Sequence, residues 1–292
     1  MSVDRGKLVF VLPGLIVLVA IILFPLLFTI RVSFSSWDVA QPGLDWIGIE
    51  NYLRLAEDRR FWESFARLAM MALGSVALEY LLGFALALLV WRDVRAGRFL
   101  RVLFLIPMMT TPVIMAVIWR TVFHESLGPA NDLLRLFGIA AIPWLSEAGL
   151  AMTSVIIVEV WQWTPFLFLM LLAGLLSLPR EPFLAAAIDG AGPIRTFLRV
   201  TFPMLAPISI GAIVIRLIEA SKIMDTVYVI TSGGPGTATE TSSYYIFIRG
   251  LRDFQIGYAA ALSFTYLVVM AISLTIIAKV LARAMIVKDG AT

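Results

Sequence analysis

Long apolar blocks alternate with short polar segments along the chain. Six of these blocks are close to, or longer than, the roughly 20 residues that a membrane-spanning helix requires. The blocks cover residues 8–30, 66–91, 100–123, 150–176, 203–220 and 259–282. The fifth block is the least uniform, because Arg216 and Glu219 lie near its end. The pattern predicts an all-α polytopic membrane protein with six transmembrane helices, in a single transmembrane domain over residues 1–292.

The composition supports a membrane protein and excludes several other classes. The 292 residues are 60% hydrophobic and 15% charged, whereas a soluble domain is about half apolar and about a quarter charged. With no cysteine, disulfides and cysteine sites are excluded, and the single histidine, His124, cannot form a metal site alone. A net charge of +3 is too small to indicate nucleic acid as a partner. We therefore predict no catalytic residue, no metal and no cofactor.

The charged residues 1–7 and the apolar run after them could also belong to a signal peptide. The run over 8–30 is longer than the apolar core of such a peptide, and no small-residue cleavage site follows it. We therefore expect a retained membrane helix at this position.

Basic residues identify the segments that we expect in the cytoplasm. Cytoplasmic loops of membrane proteins carry an excess of lysine and arginine near the ends of the spans. The densest cluster here is Arg92, Arg95, Arg98 and Arg101, between the second and third blocks. The segment between the first two blocks is rich in aspartate and glutamate instead. The pattern predicts that both termini are cytoplasmic.

The predicted cytoplasmic segment 178–202, between spans four and five, has the pattern of a short helix followed by a turn. Pro182 suits the first turn of a helix, where its missing N–H is not needed. Residues 184–188 favour helix, and Gly190 suits the left-handed conformation that closes one. Spacing alone leaves two alternatives open: the helix docks on another protein, or it rests on lipid.

The same segment resembles the EAA loop of binding-protein-dependent ABC importer permeases. The matching positions are Pro179, Ala185, Ala186, Ile188, Asp189, Gly190, Ala191, Phe197, Pro203 and Pro207. Residues 46–52, 82–87 and 232–236 are similar to segments of the carbohydrate-type permeases, the group of the maltose and glycerol-phosphate permeases. One position departs from the family, because Leu184 stands where the EAA motif has its glutamate.

The resemblance implies the function and the partners. The chain would be the permease subunit of an ATP-driven importer in the cell inner membrane. It would work with a second, homologous permease in a heterodimer, a dimer of ATPase subunits and an extracytoplasmic substrate-binding protein. It would move a sugar, or a sugar derivative, into the cytoplasm by alternating access. The residues expected to couple it to the ATPase are Phe183, Leu184, Ala185, Ala186, Ile188, Asp189, Gly190 and Ala191.

Ionisable residues within the spans are candidates for the transport site, because charges inside a bilayer are costly. Glu159, Trp163 and Phe166 share a face of the fourth predicted span by their spacing. Mapped through the resemblance, the substrate contacts fall on Trp163, Phe166, Arg216, Glu219, Ala220 and Ile223. Glu159 and Gln162, polar groups of the fourth predicted span, complete the expected substrate-binding set. The alternative is an ion pair of Arg216 with Glu159 or Glu219 that only neutralises buried charge. An arginine at this depth also suggests an anionic sugar derivative. Glu79 and Arg67 have no assigned partner.

Two other classes of protein compete with this interpretation. A self-sufficient secondary transporter of a small polar solute is the main alternative, although the sequence lacks the paired broken-helix pattern of inverted repeats. A membrane enzyme would require a catalytic cluster, which we do not find in the sequence. No nucleotide-binding motif is present either, so we predict that the chain is not an enzyme and that ATP is hydrolysed by a separate subunit.

Overall fold

The computed structural model describes residues 5–40, 43–92 and 104–285, and these are almost entirely helical. An isolated antiparallel bridge joins Ser35 and Trp46. The chain divides into two compact units, the first made of Met1–Trp62 and Tyr245–Val269 and the second of Glu63–Tyr244 and Met270–Thr292.

The helices follow one another with short connections. In chain order they are α1 (Arg5–Ser33), α2 (Glu50–Glu57), α3 (Arg59–Arg92), α4 (Pro112–Val122), α5 (Pro129–Leu136), α6 (Ala148–Ser177), α7 (Glu181–Ile188), α8 (Pro193–Thr196), α9 (Phe202–Ala220), α10 (Asp225–Ile230), α11 (Ser242–Phe247) and α12 (Ile256–Met285). Two single π-helical turns, Phe197–Thr201 and Ile248–Arg252, precede α9 and α12.

Five of the six predicted spans correspond to helices that are long and apolar enough to cross a membrane. These are Val11–Ser33, Arg59–Trp91, Ala148–Ser177, Pro193–Ala220 and Ile256–Met285. The third predicted span, 100–123, lies partly outside the described residues. Its described part is helical over 104–109, breaks at Thr110 and Thr111, and continues as α4. Pro112 explains the break, since the residue before a proline avoids the helical conformation.

Polar contacts outside the long helices hold the residues of the first unit together. Asn51 of α2 donates hydrogen bonds from its amide to the carbonyls of Ser33 and Ser35, at 2.9 and 3.0 Å. An apolar cluster that includes Phe61, Tyr245 and Leu262 packs beside them. In contrast, none of the most apolar stretch of α1 is buried by the other residues that the structure describes.

The core of the second unit lies where α6 packs against α3 and α9. Its buried members are Ala87, Val90, Leu167, Phe168, Leu171, Leu172, Leu175, Leu205 and Ala212. Two glycines allow close helix contact, as small residues do in membrane bundles. A Cβ at Gly83 would lie 2.9 Å from the Phe168 nitrogen, and one at Gly174 would lie 2.7 Å from Leu205 Cδ1. This packing holds the end of α3 and the second half of α6 against the first half of α9.

Candidate functional site

A buried cluster of charges joins these three helices. Arg216 of α9 donates from Nε and Nη2 to the two carboxylate oxygens of Glu79 on α3, at 2.7 and 2.9 Å. Its Nη2 also donates to Oε2 of Glu159 on α6, at 2.8 Å. The three residues are 1%, 0% and 3% exposed, in the order Arg216, Glu79 and Glu159. The cluster is therefore an interhelical charge network inside the second unit.

Every carboxylate oxygen of this network has a hydrogen-bond donor. The remaining oxygen of Glu159, Oε1, accepts a hydrogen bond from the Thr226 hydroxyl of α10 at 2.9 Å. Complete pairing matters here, because a buried charge that loses its partner destabilises a protein strongly. In the sequence, Glu79, Glu159 and Arg216 each lie between mainly apolar residues of their helix.

Two neighbouring residues of α6, Trp163 and Gln162, contact Arg216 and the helix break at Thr110, respectively. The Arg216 guanidinium carbon lies 4.8 Å from the centre of the Trp163 ring, within the range of a cation–π contact. Trp163 itself is only partly buried. The Gln162 side chain is buried and donates to the Thr110 carbonyl at the helix break, at 3.2 Å. Among the described residues, Gln162 Oε1 has no hydrogen-bond donor.

The structure brings only part of the predicted substrate set together. Glu159, Trp163 and Arg216 are in contact, whereas Glu219 forms its ion pair with Lys222, at 2.8 Å. Of the two ion pairs that the sequence left open, the structure therefore contains Arg216–Glu159.

Apart from Gln162, the remaining members of the set are apolar residues that do not join the charge network. Ala220 and Ile223 are buried, and Phe166 packs against the core of the second unit.

Sequence reasoning missed two members of the network. Glu79 was left without a partner, and Thr226 was not considered. The signal for Glu79 was available, because an acid in the middle of a span requires a buried cation and Arg216 is the basic residue of the facing helix. Arg67 also had no predicted partner, and it lies 3.6 Å from Glu63 and 3.9 Å from Glu240.

The predicted coupling segment forms the expected short helix, α7. Pro182 lies in its first turn, and Gly190 follows it with a φ of +67°. The Ala191 N–H donates to the Ala186 carbonyl at 2.9 Å, and the Gly190 N–H to the Ala187 carbonyl at 3.1 Å. This pair of bonds is the Schellman arrangement, which closes a helix through a left-handed residue.

The helix α7 has one face against the protein and one free face. Phe183 packs on the Trp91 ring, with 5.8 Å between ring centres, and Ala186 is buried. Leu184 and Ile188 are instead 63% and 86% exposed. The free face is thus apolar, and Leu184 contributes to it at the position of the family's glutamate. Beside it lies a groove of about 880 Å³ lined by apolar residues, which include Leu89, Trp91, Phe183, Ile194 and Phe197.

A second polar cluster lies in the first unit. The hydroxyls of Tyr245 and Tyr258 both donate to Asp58 Oδ2, at 2.6 and 2.5 Å, and Arg249 Nε donates to the Tyr245 oxygen at 2.9 Å. Burial raises the pKa of Asp58, but the two tyrosine hydrogen bonds, the Phe61 N–H and Arg249 outweigh it and leave the pKa below its usual value. Burial and the bond to Asp58 raise the pKa of Tyr245 to about 12. Sequence reasoning gave no indication of this cluster.

Known proteins resemble this chain over most of its length. The family described as "Binding-protein-dependent transport system inner membrane component" matches residues 79–287. The trehalose/maltose transport system permease protein MalF of Thermococcus litoralis is 34% identical, over 90% of this chain and 90% of its own. The sulfoquinovosyl glycerol transport system permease protein SmoG of Agrobacterium fabrum is 34% identical, over 86% of this chain and 82% of its own. These relatives confirm the resemblance to carbohydrate-type permeases.

A solved structure shares the fold. The crystal structure of a bacterial alginate ABC transporter, in complex with a periplasmic protein that holds an alginate pentasaccharide, contains a chain with a TM-score of 0.82. The match covers 98% of this chain and 97% of that chain at 20% identity, so it bears on the fold alone. On the family match and the relatives, the chain belongs to the binding-protein-dependent transport system inner membrane components, as a multi-pass ABC transporter permease of the inner membrane.

Proposed function

We propose that this chain is one of two membrane subunits of an ATP-driven importer that moves a sugar from an extracytoplasmic binding protein into the cytoplasm. The observation that carries the proposal is helix α7, which is closed at Gly190 and presents Leu184 and Ile188 to the outside. An exposed apolar helix face is suited to a groove on another protein. The family description and the sugar permeases among the relatives support the same function.

The proposed topology places both termini and α7 in the cytoplasm, with six spans. The broken segment around Thr110 and Thr111 is the third of these spans. Interrupted helices occur at membrane depth only where protein covers them or where they line a cavity. Gln162 supports this placement, because its amide satisfies the free Thr110 carbonyl at the break.

The proposed partners are a second, non-identical permease, a dimer of ATPase subunits and a binding protein. The second permease is supported by α1, whose apolar stretch has no contacts that bury it within this chain. The binding protein is supported by the family description and by the solved alginate transporter, which was crystallised with its periplasmic protein.

Alternating access is the proposed mechanism. Closure of the ATPase dimer moves α7, and the motion passes to the spans through Phe183 on Trp91. The network of Glu79, Glu159 and Arg216 makes α3, α6 and α9 move as one body, because separating them would expose a buried charge. The loop thus acts as the joint between a hinge-like closure and a rigid bundle.

The proposed substrate is a neutral sugar that stacks on the partly buried Trp163. Gln162 is 2% exposed and bonds to the Thr110 carbonyl, so we assign it no contact with the sugar. Aromatic faces and polar side chains are the groups that fix small polar ligands in pockets. An anionic derivative would require a cation that is free to meet it. The Arg216 guanidinium is already held by two carboxylates, which supports a neutral sugar over an anion. Phe166, Glu219, Ala220 and Ile223 have no contact that supports a direct role.

Cross-linking tests the docking proposal, because the chain has no cysteine of its own. Ile188→Cys would be co-expressed with the ATPase subunit of the same operon and treated with a short thiol cross-linker. We expect an adduct between the two chains. The matched control is Ile118→Cys, an exposed apolar residue of α4. An equal yield of adduct from both variants, or no adduct from Ile188→Cys, would contradict the docking of α7.

A further inference from the structure

The guanidinium of Arg216 is held in one position by the side chains around it. Three hydrogen bonds of 2.7 to 2.9 Å tie it to Glu79 and Glu159 from two different helices. It is 1% exposed, so neither solvent nor a solute reaches most of its surface. The guanidinium carbon also lies 4.8 Å from the centre of the Trp163 ring.

Trp163 therefore contacts a fixed, buried cation and is itself only partly buried. A planar guanidinium stacks on an aromatic face, and such a contact is strongest where water is excluded. Trp163 is nevertheless only partly buried, so part of the indole is accessible. An indole that is held in a single orientation can meet a ligand at low cost in conformational entropy.

We propose that Arg216 is a positioning residue: held by Glu79 and Glu159, it fixes the indole of Trp163 for stacking on the sugar and does not itself contact the sugar. This inference rests on the proposed function, in which Trp163 is the stacking platform. It gives the three buried charges a role beyond joining α3, α6 and α9. It also accounts for the choice of arginine, since a lysine offers no planar face to stack on the ring.

The test requires a variant that removes the cation without leaving unpaired charges. The neutral triple variant combines Glu79→Gln, Glu159→Gln and Arg216→Met. Replacing a buried charge network by uncharged residues of similar volume is often tolerated, whereas removing one partner is not. The Thr226 hydroxyl keeps an acceptor, because a glutamine amide oxygen can replace the carboxylate oxygen that it now contacts.

The first measurement is hydroxyl-radical footprinting of the assembled transporter, read by mass spectrometry at Trp163. We expect Trp163 to react several-fold faster in the neutral triple variant than in the wild type. The control is Trp119 of α4, which is also partly buried and contacts Trp161 and Phe123. An unchanged rate at Trp163 would overturn the proposal, whichever sugar is transported. An equal increase at Trp119 would also overturn it, because it would indicate general loosening.

The second measurement is the KM of ATP-driven uptake, with labelled trehalose and maltose as probes. We expect the neutral triple variant to raise KM by about tenfold, the size of a desolvated cation–π contact, with little change in maximal rate. We expect Trp163→Ala to raise it at least as much. Adding Trp163→Ala to the neutral triple variant should add little, since both changes remove the same platform.

The outcomes separate this inference from the proposed function. If Trp163→Ala raises KM and the neutral triple variant does not, the sugar platform stands and the positioning role of Arg216 is wrong. If Trp163→Ala leaves KM unchanged in a transporter that takes up either probe, the stacking platform is wrong, and the inference fails with it. A rise in KM for the neutral triple variant alone would also overturn the inference, because it would place Arg216 itself against the sugar.

Discussion

Helix α7 and the buried charge network differ in how local their determinants are in the sequence and in how exposed their side chains are. Helix α7 is specified within a few residues, from Pro182 to the Schellman turn at Gly190, and it leaves its apolar side chains exposed. The network depends on three helices that are far apart in sequence, and it is almost completely buried. The first exposes an apolar face to its surroundings, whereas in the second every carboxylate oxygen already has a hydrogen-bond donor.

This difference predicts how α7 and the charge network should each respond to substitution. A substitution on α7 should leave folding intact and affect the contact with another subunit. A substitution in the network should affect folding first, because Arg216 is the buried charge partner of both Glu79 and Glu159. The predictions below test this division, from the largest expected effect to the smallest.

Arg216→Ala should have the largest effect. It leaves Glu79 and Glu159 buried without a cation, at a cost of about 3 to 5 kcal/mol. We expect little of this variant in the membrane and a large loss of thermal stability in what remains, measured by fluorescence-detected size-exclusion chromatography after heating. The matched control is the neutral triple variant. If Arg216→Ala were as stable as the wild type, the charge network would contribute nothing to the stability of the fold.

Gly190→Pro should abolish coupling without preventing insertion. Proline is confined to a negative φ near −65°, whereas Gly190 has a φ of +67°, so the turn after α7 cannot close. We expect normal amounts of protein in the membrane, ATP hydrolysis that no longer responds to the loaded binding protein, and no uptake. Gly192→Ala is the control, since Gly192 has a negative φ and open space around it. Normal coupling in Gly190→Pro would remove α7 from the mechanism.

Ile188→Asp should weaken the contact with the ATPase and leave the permease stable. A charge on the centre of an apolar docking face costs about 1.4 kcal/mol or more, which is about tenfold in affinity. Binding of the purified ATPase to the permease in nanodiscs would measure this change. Leu136→Asp, at another exposed apolar residue, is the control and should bind like the wild type. Equal affinities for both variants would indicate that α7 lies outside the interface.

Thr226→Val should have the smallest effect. It keeps the shape of the side chain and removes the hydrogen bond to Glu159 Oε1, for a loss of about 1.5 kcal/mol. We expect a shift of a few degrees in the midpoint of thermal unfolding and uptake close to that of the wild type. A loss as large as that of Arg216→Ala would mean that α10, rather than Arg216, holds the network together.

The sequence predicted local features better than distant contacts. Proline, alanine and glycine within one stretch were enough to predict α7 and its end, because caps and propensities act between neighbours in sequence. Hydrophobicity located five of the spans for the same reason. The bidentate contact of Arg216 with Glu79 was not predicted, because it depends on which faces of α3 and α9 meet.

The same limit applies to the other polar clusters. Asp58 accepts hydrogen bonds from the hydroxyls of Tyr245 and Tyr258, which are far from it in the sequence. No local sequence pattern therefore predicts that these residues come together. Glu219 was considered as an ion-pair partner of Arg216, yet its carboxylate pairs with Lys222, one turn further on. Periodicity identifies a face of a helix, but it does not decide which neighbour a long side chain reaches.

The source of energy is the most direct test of the central claim, that this permease works through an ATPase docked on α7. The complete complex would be reconstituted in proteoliposomes with the binding protein outside and ATP inside, and uptake of labelled trehalose and maltose followed. We predict uptake that requires internal ATP and continues when a protonophore removes the proton gradient. Uptake that persists without ATP and stops with the protonophore would contradict the account and identify a secondary transporter.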